Sequence, residues 1–303
     1  MVSGTAWAVV RMAAVDAHRV AEAPVRREQR ARPRAHRATL EATSIIPRHL
    51  PMPSLSALAQ ALTEAHHTGR ALDARPWAET VRNEADAYAV QDAVAAALGW
   101  AGTRWKSGGA GPQGPFSHSP VNPGDLPDRP LLGVEVEVAL RLARDLTPAD
   151  AQRPLAAADV VDAMCIAVEC VASRWQQGLD APALLRMADF QSNAGLLLGP
   201  WQPWRALDWA HLDWRLALPG QPDTSRRGGH ALADPAGVLP AWLQHLTREG
   251  QTVRAGTVVT TGAWSGLHGL AAAPGLLRLT MAGLGELAIS LPASAGSGAC
   301  PAA

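Results

Sequence analysis

Along most of the chain the apolar positions fall into regular periods. Leu55, Leu58, Leu62 and Ala65 recur at helical spacing behind Ser54, a good capping residue, which predicts a helix from Ser54 to about Gly69. Glu84 to Leu98 predicts a second amphipathic helix, with Tyr88, Val90, Val94 and Leu98 on or near its apolar side and Gly99 ending it. From Ser107 to Arg129 glycines and prolines crowd together, and the segment is expected to be loop. Val134 to Leu142 alternates strictly, the period of a half-buried strand. Val160 to Val171 is expected to be a short helix running into a buried strand. Further strands are predicted at Leu196–Leu198, Trp214–Leu218, Val258–Thr261, Leu276–Met281 and Leu287–Leu291. One more helix is predicted from the Asp234-Pro235 cap to Glu249. Two helices followed mostly by strands imply an α+β domain with a large curved sheet.

Residues 1–52 lack such a period. They carry nine arginines against Asp16, Glu22, Glu28 and Glu41, a net +5, and are expected to be a disordered extension. An over-extended translation start, with Met52 as the working initiator, is the first reading of this segment; a transit peptide or an Arg-rich arm ranks lower. Residues 53–292 form the expected catalytic domain and 293–303 a flexible tail. The body balances 18 basic against 23 acidic residues, which argues against nucleic acid as the main partner. No apolar run approaches the ~20 residues of a membrane span. Cys165 and Cys170 sit in one apolar run and Cys300 near the end, so free thiols in a reducing cytoplasm are expected rather than a disulfide framework. Trp201, Trp204, Trp209 and Trp214 are expected to fill core and subunit contacts of a homo-oligomer.

Candidate chemistry starts from lysine usage. Of 27 basic residues 26 are arginine, and the exception is Lys106. A GC-rich coding bias explains the excess of arginine, which makes the one retained lysine a candidate acid/base or electrophilic group, because an ammonium can lose its proton and a guanidinium cannot. Glu135 and Glu137, in Gly133-Val134-Glu135-Val136-Glu137-Val138, project from one strand face roughly 6.5–7 Å apart at Cα. They are either a solvated polar face or two ligands of a hard cation. Glu169 lies alone in the apolar run Ile166-Ala167-Val168-Glu169-Cys170-Val171 and must be neutralised, paired or metal-bound; Arg174 is the candidate ion-pair partner. Three carboxylates with waters suit an octahedral Mg²⁺ site.

In order and spacing, several segments from about residue 54 to 291 resemble the fumarylacetoacetate hydrolase superfamily. They are Glu84-Ala85-Asp86-Ala87-Tyr88-Ala89-Val90-Gln91, Trp105-Lys106-Ser107-Gly108, Glu135-Val136-Glu137 with Arg144-Asp145-Leu146, Ala167-Val168-Glu169 with Ser173-Arg174-Trp175, Ala188-Asp189-Phe190-Gln191-Ser192-Asn193, and Thr260-Thr261-Gly262. Within it the chain is similar to the 2-keto-4-pentenoate hydratase and 4-oxalocrotonate decarboxylase branch. The resemblance implies a mixed, rolled β-sheet with N-terminal helices. It implies Mg²⁺ or Mn²⁺ on Glu135, Glu137 and Glu169, Lys106 over a bound small 2-oxo acid, and Ser192 near the substrate. Thr261 and Gly262 either present amides to a substrate carboxylate or form a tight strand end. In the typical hydratase a Pro-Asp-Phe-Gly segment after the lysine supplies an aspartate; here Pro115-Phe116-Ser117-His118 stands in that region. His118, whose ordinary pKa suits proton transfer, is the candidate replacement. Asp189 is a candidate to support the site, and His230 is structural by default. The expected activity is that of a metal-dependent hydratase in aromatic catabolism. C–C hydrolysis of an acylpyruvate and decarboxylation of a vinylogous oxo acid are the alternatives, and a non-catalytic oxo-acid-binding homologue is the alternative from another class.

Overall fold

The computed structural model describes residues 53–291 apart from 101, 110, 112, 113, 125, 128, 272 and 273, all within one unit, Leu50–Ala303. The expected disordered extension and flexible tail lie outside the described residues. Helix α1 (Leu55–Thr68) starts where Ser54 Oγ accepts the Ala57 N–H and ends at Gly69 in the left-handed region. Helix α2 (Glu84–Ala97) is capped by Asn83, which accepts the Asp86 N–H at 2.9 Å. Their buried stripes, Leu58, Leu62 and Ala65 with Ala87, Val90 and Val94, close a small core over Trp175, Leu185 and Phe190.

The rest of the chain supplies β1 (Arg104–Gly109), β2 (Phe116–Pro120), β3 (Gly133–Leu142), the single turn α3 (Ala157–Val160), β4 (Val161–Val171), α4 (Ala183–Ala188), β5 (Asn193–Leu198), β6 (Gln202–Pro203), β7 (Asp213–Ala217), β8 (Thr224–Arg227), α5 (Leu239–Leu246), β9 (Val258–Thr260), β10 (Leu267–Gly269), β11 (Gly275–Met281) and β12 (Gly285–Leu291). One sheet runs β2-β1-β9-β3-β4-β5, with β10 on β3 and β6 on β4; the other runs β12-β11-β7-β8. The pairing of β1 with β9 is parallel and the remaining pairs are antiparallel, so the larger sheet is mixed. The alternation in β3 and β4 assigns its two faces. Val134, Val136, Val138, Leu140, Ile166 and Val168 point into the main core, against Trp214, Leu216, Leu277 and Leu279 of the second sheet. The opposite face carries Glu135, Glu137, Ala139, Ala167 and Glu169.

Two expectations need correction. The segment expected as loop from Ser107 contains the end of β1 and all of β2, paired with Lys106 opposite Ser119 and Ser107 opposite His118. Its glycines serve close approach within the sheet: a Cβ on Gly109 would lie 3.2 Å from the Phe116 ring, and one on Gly108 3.5 Å from Gly262 Cα. The helix expected from Asp234 to Glu249 is split. Asp234 does cap, accepting the Ala236 N–H, but a 3₁₀ turn (Pro235–Val238) precedes α5, which ends three residues early. Pro240 has no N–H to continue the ladder, so the α-helix begins afresh there.

Candidate active site

Backbone register alone brings the three carboxylates together. Glu135 and Glu137 share a face of β3, and β4 places Glu169 directly opposite Glu135 and Ala167 opposite Glu137. Directly opposed Cβ atoms lie about 5 Å apart, and one oxygen from each carboxylate falls within 4.8 Å of the others. Lys106 arrives from β1. Its register partner is Thr260 of β9, whose own partner is Ala139 of β3, two residues from Glu137 on the same face. From there Nζ donates to Glu169 Oε1 at 2.5 Å. Arg174, the ion-pair candidate for Glu169, is occupied elsewhere.

Three acids, two of them buried and Glu135 half-buried, face one base. Burial, reinforced by the Glu169 charge, pushes the Glu137 carboxyl up to about 8. The same two causes raise Glu135. Burial works to lower Lys106, but the charges of Glu169, Glu135 and Glu137 outweigh it and hold the ammonium above its ordinary value. Glu169 is fully buried and its Oε2 has no hydrogen-bond partner. An all-oxygen donor set with surplus negative charge and an orphaned buried oxygen is what a hard divalent cation requires. The residues present therefore fit such an ion.

A cavity of about 290 Å³ opens on this cluster, lined among others by Lys106, Glu135, Glu137, Gln191, His230 and Gly262. The Gly262 N–H donates to Glu137 Oε2 at 3.2 Å, so that amide orients a carboxylate. Thr261 lines the cavity, with its hydroxyl donating to the Val138 carbonyl at 2.9 Å. His230 uses both ring nitrogens: Nε2 lies 2.8 Å from the Thr261 carbonyl, and Nδ1 accepts the Leu232 N–H.

His118 is not brought to the carboxylates. It pairs with Ser107, whose side chain leaves β1 on the face opposite Lys106. There Nδ1 lies 2.9 Å from Ser107 Oγ and the ring packs 4.9 Å from His245. Burial, with the Arg248 charge, lowers it to about 4. This placement does not support the proton-transfer role expected of His118.

Gln191, which sequence reasoning passed over, lines the cavity. Phe190, Gln191 and Ser192 have φ of 50°, 54° and 61°, three successive non-glycine residues in the left-handed region at about 1–2 kcal/mol each. Both ends of the turn are tied. The Ser192 N–H donates to the Asp189 carbonyl and the Ala172 N–H to the Ser192 carbonyl, each at 2.9 Å. Buried Arg174 donates to the Asp189 carboxylate, to the Asp189 carbonyl at 2.8 Å and to the Asn193 carbonyl at 2.7 Å. Asp189 thus supports the site through the backbone. Ser192 itself is buried, its hydroxyl without a partner, and it does not line the carboxylate cavity.

Comparison with known proteins gives the family and the fold. Residues 106–291, more than half of the chain, match the model of the fumarylacetoacetate (FAA) hydrolase C-terminal family. Among solved structures the chain is similar to 4-oxalocrotonate decarboxylase from Pseudomonas putida G7 complexed with magnesium and adipate. The identity is 19% over 77% of this chain and 95% of that one, with a TM-score of 0.60. The same enzyme complexed with calcium and acetate gives 19% identity, the same coverage and a TM-score of 0.59. At that identity the likeness is one of fold. No curated protein sequence matches the chain. Among the described residues no helix is long and apolar enough to cross a membrane.

Proposed function

The chain belongs to the fumarylacetoacetate hydrolase family, and on that premise we propose that it is a divalent-metal-dependent lyase of small 2-oxo and 2-hydroxydienoic acids. The observation that carries this reading is a cluster of three carboxylates around Lys106. Of these groups Lys106, Glu135 and Glu137 line a cavity of about 290 Å³, at the small end for ligand sites, while buried Glu169 lies behind them against the lysine. Glu135, Glu137 and Glu169 are the residues to hold Mg²⁺ or Mn²⁺. Such an ion supplies a Lewis acid for the carboxylate and 2-oxo oxygens of the substrate, where negative charge develops. Lys106 Nζ gives and takes the proton at the substrate. Neutralising the carboxylates removes the field that keeps this ammonium charged and frees it for that work. Gly262 holds Glu137 in place from the backbone.

Hydration is the ending that the family resemblance suggests. One observation favours decarboxylation beside it. Outside the carboxylate cluster, Lys106 and His230 are the titrating side chains that line the cavity, and His230 has both nitrogens occupied. Decarboxylation needs an electron sink and one delivered proton, whereas hydration also needs a water deprotonated at a remote carbon. Product analysis decides between them. With Mg²⁺ the full chain is expected to hydrate 2-hydroxypenta-2,4-dienoate or to release CO₂ from 4-oxalocrotonate. Turnover of an acylpyruvate alone would transfer the assignment to C–C hydrolysis, and turnover of none of the three would contradict the proposal.

A further inference from the structure

A second depression, also of about 290 Å³, shares Gln191 with the carboxylate cavity. Its polar lining comes from Ser117, Arg186, Gln191 and Ser192, and its apolar lining includes Ala183 and Met187. Arg186 stands on α4, and its guanidinium makes no ion pair or side-chain hydrogen bond among the described residues; its Nε is buried without a partner. The nearest acid in sequence, Asp189, is already taken by Arg174. Ser192 Oγ, on the same depression, is likewise buried and unpaired. Buried donors without acceptors are rare in folded proteins and costly. Here a guanidinium and a hydroxyl lie in one small recess, beside a carboxamide that the left-handed turn sets between the two cavities. Among the described residues nothing else uses these groups.

We infer that this depression is a second subsite, which takes the far-end carboxylate of a dicarboxylic 2-oxo acid, with Arg186 as the specificity-determining residue. The inference rests on the reading of the carboxylate cavity as the 2-oxo acid site. Guanidinium matches a carboxylate with two parallel N–H donors, a geometry that an ammonium or a neutral amide does not reproduce. Ser192 and Gln191 complete the donor set, and the side chains of Ala183 and Met187 suit the methylenes between the two ends.

Calorimetry with 2-oxoadipate and 2-oxohexanoate tests this on the full chain in the presence of Mg²⁺. The two probes share a six-carbon backbone and end in a carboxylate or a methyl group. The pair 2-oxoglutarate and 2-oxopentanoate repeats the comparison one carbon shorter. Wild type is expected to bind the carboxylate-ended member of at least one pair roughly 10–100-fold more tightly, the range of a charged hydrogen-bonded pair. Arg186→Met should erase that gap by weakening the dicarboxylate alone, and Arg186→Lys should keep part of it. Mg²⁺ affinity, measured on both variants, should not change, since Arg186 does not line the carboxylate cavity, and melting temperature should hold or rise in Arg186→Met, which removes a buried unpaired donor. Equal binding within both pairs by wild type, or a gap that survives Arg186→Met, overturns the inference while the 2-oxo acid reading stands. Failure of all four probes to bind overturns that reading and the subsite with it.

Discussion

Two clusters of buried charge lie within this fold, and they are wired in opposite ways. In the first, Arg174 and Asp189 are each 1% exposed or less, and Arg174 spends its donors on the Asp189 carboxylate and on two carbonyls that bracket a left-handed turn. Burial works to raise the Asp189 carboxyl and the Arg174 charge works to lower it. In the second, three carboxylates share one lysine, and a buried oxygen of Glu169 has no partner. A satisfied buried network rigidifies what it touches, while an unsatisfied one costs stability unless something from outside completes it. The first cluster therefore holds backbone, and the second offers carboxylates that an external cation could complete. Distance from the cavity does not separate them, because the turn held by the first supplies Gln191 to the second.

The contrast can be broken by mutation, beginning with the pair. Asp189→Asn leaves Arg174 buried without its counter-charge, and the expected cost is about 3–5 kcal/mol of folding stability. Denaturant unfolding would show it; a loss below about 1 kcal/mol would mean that the pair does not hold the turn. Lys106→Arg keeps the charge but places a guanidinium that cannot deprotonate beside Glu169. Turnover is expected to fall at least ~10²-fold, about 2.7 kcal/mol in barrier, with the fold intact. Steady-state kinetics within a few-fold of wild type would remove Lys106 from the chemistry.

The smallest effect is in pH. Glu137 is raised to about 8 in the folded chain from an ordinary 4.5, so between those values the folded state holds a proton that the unfolded state has lost. That contribution to stability is present below about 4.5 and is lost as pH rises through about 8. His118 and His245, lowered to about 4 and about 3, act in the opposite sense but only below their ordinary 6.5. Between pH 6.5 and 8 the carboxylates act alone, and the metal-free protein should lose up to about 2 kcal/mol. Thermal melts of wild type and Glu137→Gln across that window provide the check. The variant's curve should be clearly shallower, with only Glu135 left raised, and parallel curves would rule out the assignment.

Much of the site was legible in the sequence because it rests on local rules. Strand alternation put Glu135 and Glu137 on one face, and a lone carboxylate in an apolar run marked Glu169. What was not legible depends on partners distant in sequence. Glycines and prolines hid β1 and β2, whose identity as strands comes from pairing: β1 with β9 some 150 residues on, and β2 with β1. Register with Ser107, invisible in a single segment, turned His118 away from Lys106. Lys106 rather than Arg174 became the partner of Glu169 because Asp189 claims Arg174. The left-handed turn at Phe190–Ser192 contains no glycine to announce it, since tertiary hydrogen bonds rather than local preference impose it.

Calorimetric titration of Mg²⁺ into wild type and Glu135→Gln at pH 8, both chelator-stripped, tests the central claim most directly. The variant keeps shape and removes one charge, so Mg²⁺ binding should weaken by at least ~10-fold while the metal-free melting temperature stays level or rises through relief of repulsion. Equal Mg²⁺ affinity in the two proteins, or no measurable binding to wild type, would contradict the cation site and leave the carboxylates as a polar face of the sheet.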